Sequence, residues 1–362
     1  MSMSISTDTT IINPINKLEP DKTNINAKQQ DFNLASVNNL VLSGGGMLGI
    51  SYIGLYKILE ENDAKKQIKT ITGCSAGAIF GSFLALGYTS KELLELVHNI
   101  KFNEYLNITA ESLLNFMKNK GLDSGNMIMK FIIDVIRTKT GNESITLLEV
   151  YQQYGITLRI GITNLTKSQF QLIDYHNSPN MPLYKAINAS IAIPFIFEPV
   201  IIDDEVFCDG GLLDNLPMDY ILDVNSNIIS SELKTSGNTP TTPTPTTPTT
   251  TPTTTPTTTP TTTPTTIKTL GIYLSNTRDC PTAENYKDMT VYQYLGSVFH
   301  ALNLHPTNYK KSKESEKKYK IIIIEIPCDI MTFLKINATS EDIDNIVNIA
   351  YNTISKQCLS AS

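Results

Sequence analysis

Two short strand-like runs, each ending in a glycine-rich turn and each followed by helical patterning, stand within fifty residues of one another. Residues 39–43 (NLVLS) run into Gly44-Gly45-Gly46, and residues 48–61 then carry apolar positions at 50, 53, 55, 58 and 59. Residues 69–72 (KTIT) run into Gly73-Cys74-Ser75-Ala76-Gly77, and residues 76–86 form a very apolar helical stretch. Strand, helix, strand, helix at this spacing predicts parallel strands joined by helical crossovers, an α/β sheet covered by helices.

The rest of the chain is compatible with that frame. Helical patterning recurs at 90–99, 111–119, 124–138 and 341–355. Strand-like runs occur at 158–165, 169–175, 200–203, 206–208, 268–274 and 319–326. Residues 1–36 are polar and unpatterned and read as a disordered tail. Residues 239–266 are Thr and Pro alone, 28 residues with eight prolines. Proline's locked φ and missing N–H keep such a tract out of helices and ladders and favour polyproline II. It reads as a low-complexity insertion in a surface loop, since lengthening a loop costs little entropy; an O-glycosylated stalk is the other reading. The expected organisation is one α/β domain of residues 37–238 and 267–358, interrupted by 239–266.

Composition excludes several classes. The net charge of −6 speaks against nucleic acid as partner, because phosphate binding needs a basic footprint. Five cysteines without a CxxC pair and four scattered histidines support neither a disulfide scaffold nor a metal site, so no cofactor is expected and the thiols read as free. The first residues lack a basic and apolar leader, and no apolar stretch reaches 18 residues. An intracellular chain, soluble or peripheral to membranes, is expected.

Three segments carry chemistry. The Gly44–Gly49 loop opens a helix, where backbone N–H groups are free to bind an anion. Its G-x-G-x-x-G spacing also matches a dinucleotide fingerprint, but that needs an acid at the end of the second strand, and Thr70-Ile71-Thr72-Gly73 supplies none. Gly73-x-Ser75-x-Gly77 between a strand and a helix is the setting of a nucleophile elbow, which lifts the serine hydroxyl above the sheet at a helix N-terminus. Asp209-Gly210-Gly211 places a carboxylate after a strand with no side chains behind it; alone it is also an ordinary Asp-Gly turn. Together they equip a site for acyl transfer.

GGGMLG, GCSAG and DGG in this order and spacing resemble the patatin-like phospholipases. Ala189-Ser190-Ile191-Ala192-Ile193-Pro194 is similar to the A-S-x-A-x-P block of that family, and Asn215 and Pro217 fit the residues after DGG. The resemblance covers about residues 38–223. It implies a three-layer α/β/α fold with a mostly parallel central sheet and a Ser–Asp dyad, with Ser75 as nucleophile and Asp209 as general base. Gly44, Gly45, Gly46 and Gly49 would form the oxyanion loop, with the N–H groups of Gly45 and Gly46 as donors. Gly73 and Gly77 would flank the nucleophile, and Gly210 and Gly211 would follow the base. The implied substrate is a phospholipid or acylglycerol, cleaved without a metal.

Other readings stay open on the sequence alone. The order Ser…Asp…His is that of α/β-hydrolases, so His300 or His305 would complete a triad. A lipid-binding module without catalysis is a reading from another class. Residues 310–320, with six Lys and two Glu, form a solvated loop or a contact for anionic lipid. Ile191, Ile193, Phe195 and Phe197 alternate as a core strand or the lining of an acyl channel would.

Overall fold

The computed structural model describes residues 33–100, 110–218, 269–276, 287, 319–326 and 339–358. Ten strands fall within these: β1 (Asn39–Leu42), β2 (Thr70–Cys74), β3 (Gly121–Asp123), β4 (Thr157–Asn164), β5 (Gln169–Ile173), β6 (Phe195–Phe197), β7 (Val200–Ile202), β8 (Glu205–Asp209), β9 (Thr269–Asn276) and β10 (Tyr319–Ile326). The helices are α1 (Tyr52–Glu61), α2 (Ala76–Ala85), α3 (Ser90–His98), α4 (Ala110–Asn119), α5 (Asn126–Thr140), α6 (Leu147–Tyr154), α7 (Leu183–Ile191) and α8 (Ser340–Cys358).

The fold is a three-layer α/β/α arrangement about a mostly parallel sheet, with strand order β10-β9-β1-β2-β4-β8-β7 and β5 also paired to β4. β10, β9, β1, β2 and β4 run parallel, and β5, β7 and β8 add antiparallel pairings. Strands buried on both faces need apolar residues at every position rather than at alternate ones. Accordingly Leu40, Val41 and Leu42 are all fully buried. At the edge, β10 alternates instead, with Ile322, Ile324 and Ile326 buried and Ile323 and Glu325 exposed.

α1 packs on α8, and α8 on β10, while α2 lies on β2 and α7 on β4 and β8. The α1–α8 approach is close enough that a Cβ on Gly54 would sit 2.5 Å from the Val347 carbonyl oxygen and 2.7 Å from the Tyr351 nitrogen. Neither backbone atom can rotate aside. Gly54→Val should therefore push α8 away and cost about 1–3 kcal/mol of stability, read as a lower midpoint in urea or thermal melting.

Three expectations are corrected. Packed chain begins before residue 37: Leu34–Ser36 form a 3-10 turn capped by the Asn33 side chain, and Leu34 is buried, as an apolar residue in a polar stretch requires. The helix expected over 48–61 is a 3-10 turn over Gly46–Ser51 followed by α1. The alternation at 191–197 is not one strand. Ile191 closes α7, whereas Phe195–Phe197 form β6, paired with β3 in a separate two-stranded sheet. Residues 239–266, 300, 305 and 310–318 lie outside the described residues.

Candidate active site

β1 and β2 are adjacent and parallel, with Leu42 opposite Gly73. The loops that follow them, Ser43–Gly46 and Ser75, therefore leave the same carboxyl edge of the sheet, where open α/β folds place their sites. β4 brings in the third segment. It pairs with β2 over Thr157–Gly161 and with β8 over Ile162–Asn164, while β5 pairs with Ile160–Asn164. A strand has two edges, so β5 occupies one of them and β2 and β8 share the other. β2 and β8 run in opposite directions and meet end to end, Cys74 beside Gly161 and Asp209 beside Ile162. That abutment brings the two motifs together across more than a hundred residues of chain.

At the junction Ser75 Oγ donates a hydrogen bond to Asp209 Oδ2 at 2.5 Å, between residues 134 positions apart. Ser75 holds φ 51° and ψ −120°, a conformation that costs a non-glycine residue of order 1–3 kcal/mol and belongs to a nucleophile elbow. The turn closes because its flanking glycines lack side chains. A Cβ on Gly73 would lie 2.2 Å from the Gly77 carbonyl oxygen, and one on Gly77 2.1 Å from that of Leu42. α2 begins at Ala76, so its positive end stands beside the Ser75 hydroxyl. Ser75 and Asp209 are only 6% and 5% exposed.

Asp209 Oδ1 accepts the Gly211 N–H at 2.7 Å. Burial nonetheless pushes its carboxyl from 3.8 up to about 7, against the opposing hydrogen bonds from Ser75 and Gly211. Such a group is half-ionised near neutrality and can both take and return a proton there. The neighbouring thiol of Cys74 is fully buried, and burial, with the Asp209 charge beside it, holds it well above its ordinary value. It stays protonated and is not a competing nucleophile. Gly210 passes so near to β4 that a Cβ would sit 2.5 Å from the Gly161 carbonyl oxygen and 2.7 Å from Cys74 Sγ.

The predicted glycine loop divides in its roles. The Gly44 N–H donates to the Asn215 carbonyl, and Asn215 Nδ2 donates back to the Gly44 carbonyl, both at 3.3 Å. Gly44 is thus held at both ends by the segment after Asp209 and has no N–H to offer an oxyanion. Gly49 sits within the 3-10 turn, where a Cβ would touch Ala76 and Phe80. Gly45 and Gly46 begin that turn, where N–H groups have no intrahelical acceptor. Among the described residues the loop's hydrogen bonds run from Gly44 N–H, from Ser43 Oγ to the Gly44 carbonyl and from Leu48 N–H to the Gly45 carbonyl, leaving those two N–H groups unused. Ser43 fixes the base of the loop: its Oγ accepts the Leu274 N–H, and its carbonyl accepts the Tyr52 hydroxyl.

Sequence reasoning misses two contributors. It places Asn215 only by resemblance, without its grip on Gly44. Ser190, fully buried, accepts the Ser75 N–H at 2.9 Å and donates to the Gly161 carbonyl at 2.6 Å. The A-S-x-A-x-P block locates it but gives no hint of this contact. His98 and His176 pair with Asp344 and Asp174 rather than with Asp209. Among the described residues no group of three or more His, Cys, Asp or Glu is placed to hold a metal, and no helix is long and apolar enough to cross a membrane.

A serine elbow and a buried carboxylate at the carboxyl edge of an α/β/α sheet define a class, and comparison with known families gives its name. The patatin-like phospholipase family profile matches residues 40–222, and the chain belongs to that family. A relative described as a probable lipid hydrolase of invertebrate iridescent virus 6 is 31% identical over 185 residues, 51% of this chain and 62% of that protein. Triacylglycerol lipase 4 of Saccharomyces cerevisiae is 28% identical over 169 residues, 44% of this chain and 18% of that one. The crystal structure of VipD from Legionella pneumophila aligns with 90% of this chain and 67% of its own at TM-score 0.42 and 16% identity. The chain spans less than two thirds of the length of the curated relatives it matches first.

Proposed function

We propose that the protein is a lipid acyl hydrolase that cleaves phospholipid or acylglycerol esters with a Ser75–Asp209 dyad. One observation carries the reading: the Ser75 hydroxyl donates directly to the Asp209 carboxylate in the strained elbow, with no imidazole between them. Family membership and relatives named as a lipid hydrolase and a triacylglycerol lipase support the substrate class.

In the proposed reaction Asp209 Oδ2 takes the Ser75 proton as Oγ bonds to the ester carbonyl carbon. The carbonyl oxygen becomes an oxyanion facing the N–H groups of Gly45 and Gly46 at the positive end of α2. The C–O bond to the alcohol breaks, and Asp209 returns the proton to the departing alkoxide. Water then gives a proton to Asp209 and attacks the acyl-enzyme; collapse frees the fatty acid, and the proton goes back to Ser75. The catalytic unit is residues 33–238 with 267–358, and 239–266 is an insertion within it. The placement of β9 between β1 and β10 supports this arrangement.

Intact-mass labelling of the full chain with a fluorophosphonate tests the proposal. One adduct per chain, mapped to Ser75 and retained when His300 and His305 are both replaced by Ala, is the expected result. An adduct lost in the double variant would replace the dyad with a triad. A folded chain that takes no label would turn the reading to a lipid-binding module. Liposomes and emulsified acylglycerols then separate the two substrate classes by the fatty acid each releases.

A further inference from the structure

The end of α7 touches both halves of the proposed dyad. Ser190 Oγ, fully buried, lies between the Ser75 N–H at 2.9 Å and the Gly161 carbonyl at 2.6 Å. Two residues on, the Ala192 carbonyl accepts the Asp209 N–H at 2.9 Å. Gly161 is the β4 residue beside Cys74, and the next, Ile162, is the one beside Asp209. One turn of chain thus brackets the point where β2 and β8 meet and ties it to β4.

A serine at φ 51° and ψ −120° keeps that conformation only where its surroundings over-determine it. Two of the elbow's restraints are steric, the close approaches at Gly73 and Gly77. The Ser75 carbonyl accepts the Ala78 and Ile79 N–H groups in the first turn of α2, and the hydrogen bond from the Ser75 N–H to Ser190 holds the other side of the residue. We propose that the Ser190 hydroxyl is a positioning residue for the nucleophile, holding the Ser75 backbone so that Oγ points at Asp209 Oδ2. The proposal rests on the hydrolase reading. Ser190 Oγ is bonded to the Ser75 N–H and the Gly161 carbonyl; it takes no part in the proposed chemistry and acts through the peptide of Ser75.

The consequence for Ser190→Ala follows from these contacts. The Ser75 N–H and the Gly161 carbonyl lose a buried partner, the elbow relaxes toward an unstrained φ, and Oγ drifts from Asp209. A displacement of about 1 Å in a reacting group costs on the order of 10²-fold in rate. The Ser75 hydrogen bond also opposes the effect of burial on Asp209, so loosening it moves ionisation of the base to higher pH.

The test compares wild type, Ser190→Ala and Ser190→Cys as full chains. It follows the rate of fluorophosphonate labelling of Ser75 from about pH 5 to pH 9, with kcat and KM on a short-chain p-nitrophenyl ester. Ser190→Ala is expected to label about 10–100-fold more slowly at its pH plateau, with the acid-limb midpoint moved upward, kcat reduced in proportion and KM within about twofold. Ser190→Cys, which keeps the volume and a weak donor, should fall between. The end-point of labelling counts competent chains, so the rate is read per folded site even where stability is lost. A lower end-point with an unchanged rate and pH midpoint would make Ser190 purely structural and overturn the proposal. If Ser190→Ala does not fold, a wild-type rate and midpoint in Ser190→Cys would do the same. A wild type that does not label at Ser75 removes the hydrolase reading itself, and this proposal with it.

Discussion

Ser75→Ala is expected to abolish ester hydrolysis, with kcat falling on the order of 10⁴–10⁶-fold while the fold and lipid binding persist. The size follows from what is lost. In the proposed reaction the hydroxyl is the atom that bonds to the acyl carbon, and without it the proposed donors at Gly45, Gly46 and the start of α2 can act only on an attacking water. The fold should hold because the strained φ of 51° at position 75 is held by the close approaches at Gly73 and Gly77 together with the Ser75 N–H bond to Ser190, all of which alanine keeps without adding bulk. It also leaves Asp209 Oδ2 without its donor in a buried site, so the carboxyl should titrate higher still. Rates of fatty-acid release from mixed liposomes, with circular dichroism as the control for folding, check this. Hydrolysis within tenfold of wild type would remove Ser75 from the mechanism.

Asp209→Asn is expected to lower kcat on the order of 10⁴-fold, because the amide cannot accept the Ser75 proton. Its effect on stability should have the opposite sign. The native carboxyl ionises at about 7, whereas an unconstrained Asp ionises at 3.8. Between those values the unfolded chain has released a proton that the native state still holds. Raising the pH through this window therefore destabilises the wild type, by at most about 1.4 kcal/mol for each pH unit crossed. Asparagine carries no such linkage. The variant should match the wild type near the lower end of the window, gain on it as pH rises, and keep a constant advantage above the upper end. Thermal melts across this range measure the difference. The wild-type activity profile should rise with pH through the native midpoint of about 7, since in the proposed mechanism only the ionised carboxylate acts as base. A stability difference independent of pH would show that Asp209 is not held protonated by burial.

Much of the frame is legible because buried parallel strands announce themselves. Leu40–Leu42 are apolar without alternation, and glycine turns punctuate both this run and the short strand around Ile71. The helices at 76–85 and 90–98 match their sequence patterns to within a residue or so. α6 escapes the periodicity, although Thr146 and Glu149 form a capping box that marks its start. α7 escapes because Ile191, Ile193, Phe195 and Phe197 mimic a period of two across a helix end. Nothing local could pair Ser75 with Asp209, 134 residues away; resemblance supplies that expectation, and β4 supplies its geometry. The hydroxyl of Ser190 and the amide of Asn215 are illegible for a related reason. Their partners are backbone atoms, which leave no trace in the identity of neighbouring residues.

The end-to-end meeting of β2 and β8 along one edge of β4 also bears on how the molecule acquires its activity. β4 serves as a ruler on which Cys74, the residue before the proposed nucleophile, and Asp209, the proposed base, stand at adjacent graduations, Gly161 and Ile162. One residue of slippage in β8 would turn the Asp209 side chain to the opposite face, and two residues would carry it about 7 Å along the strand. Either error would leave a compact molecule with nearly the same apolar surface buried. Catalytic competence is thus a stricter measure of correct folding than compactness is. A refolded population should divide into fully active and silent molecules, rather than share one intermediate turnover.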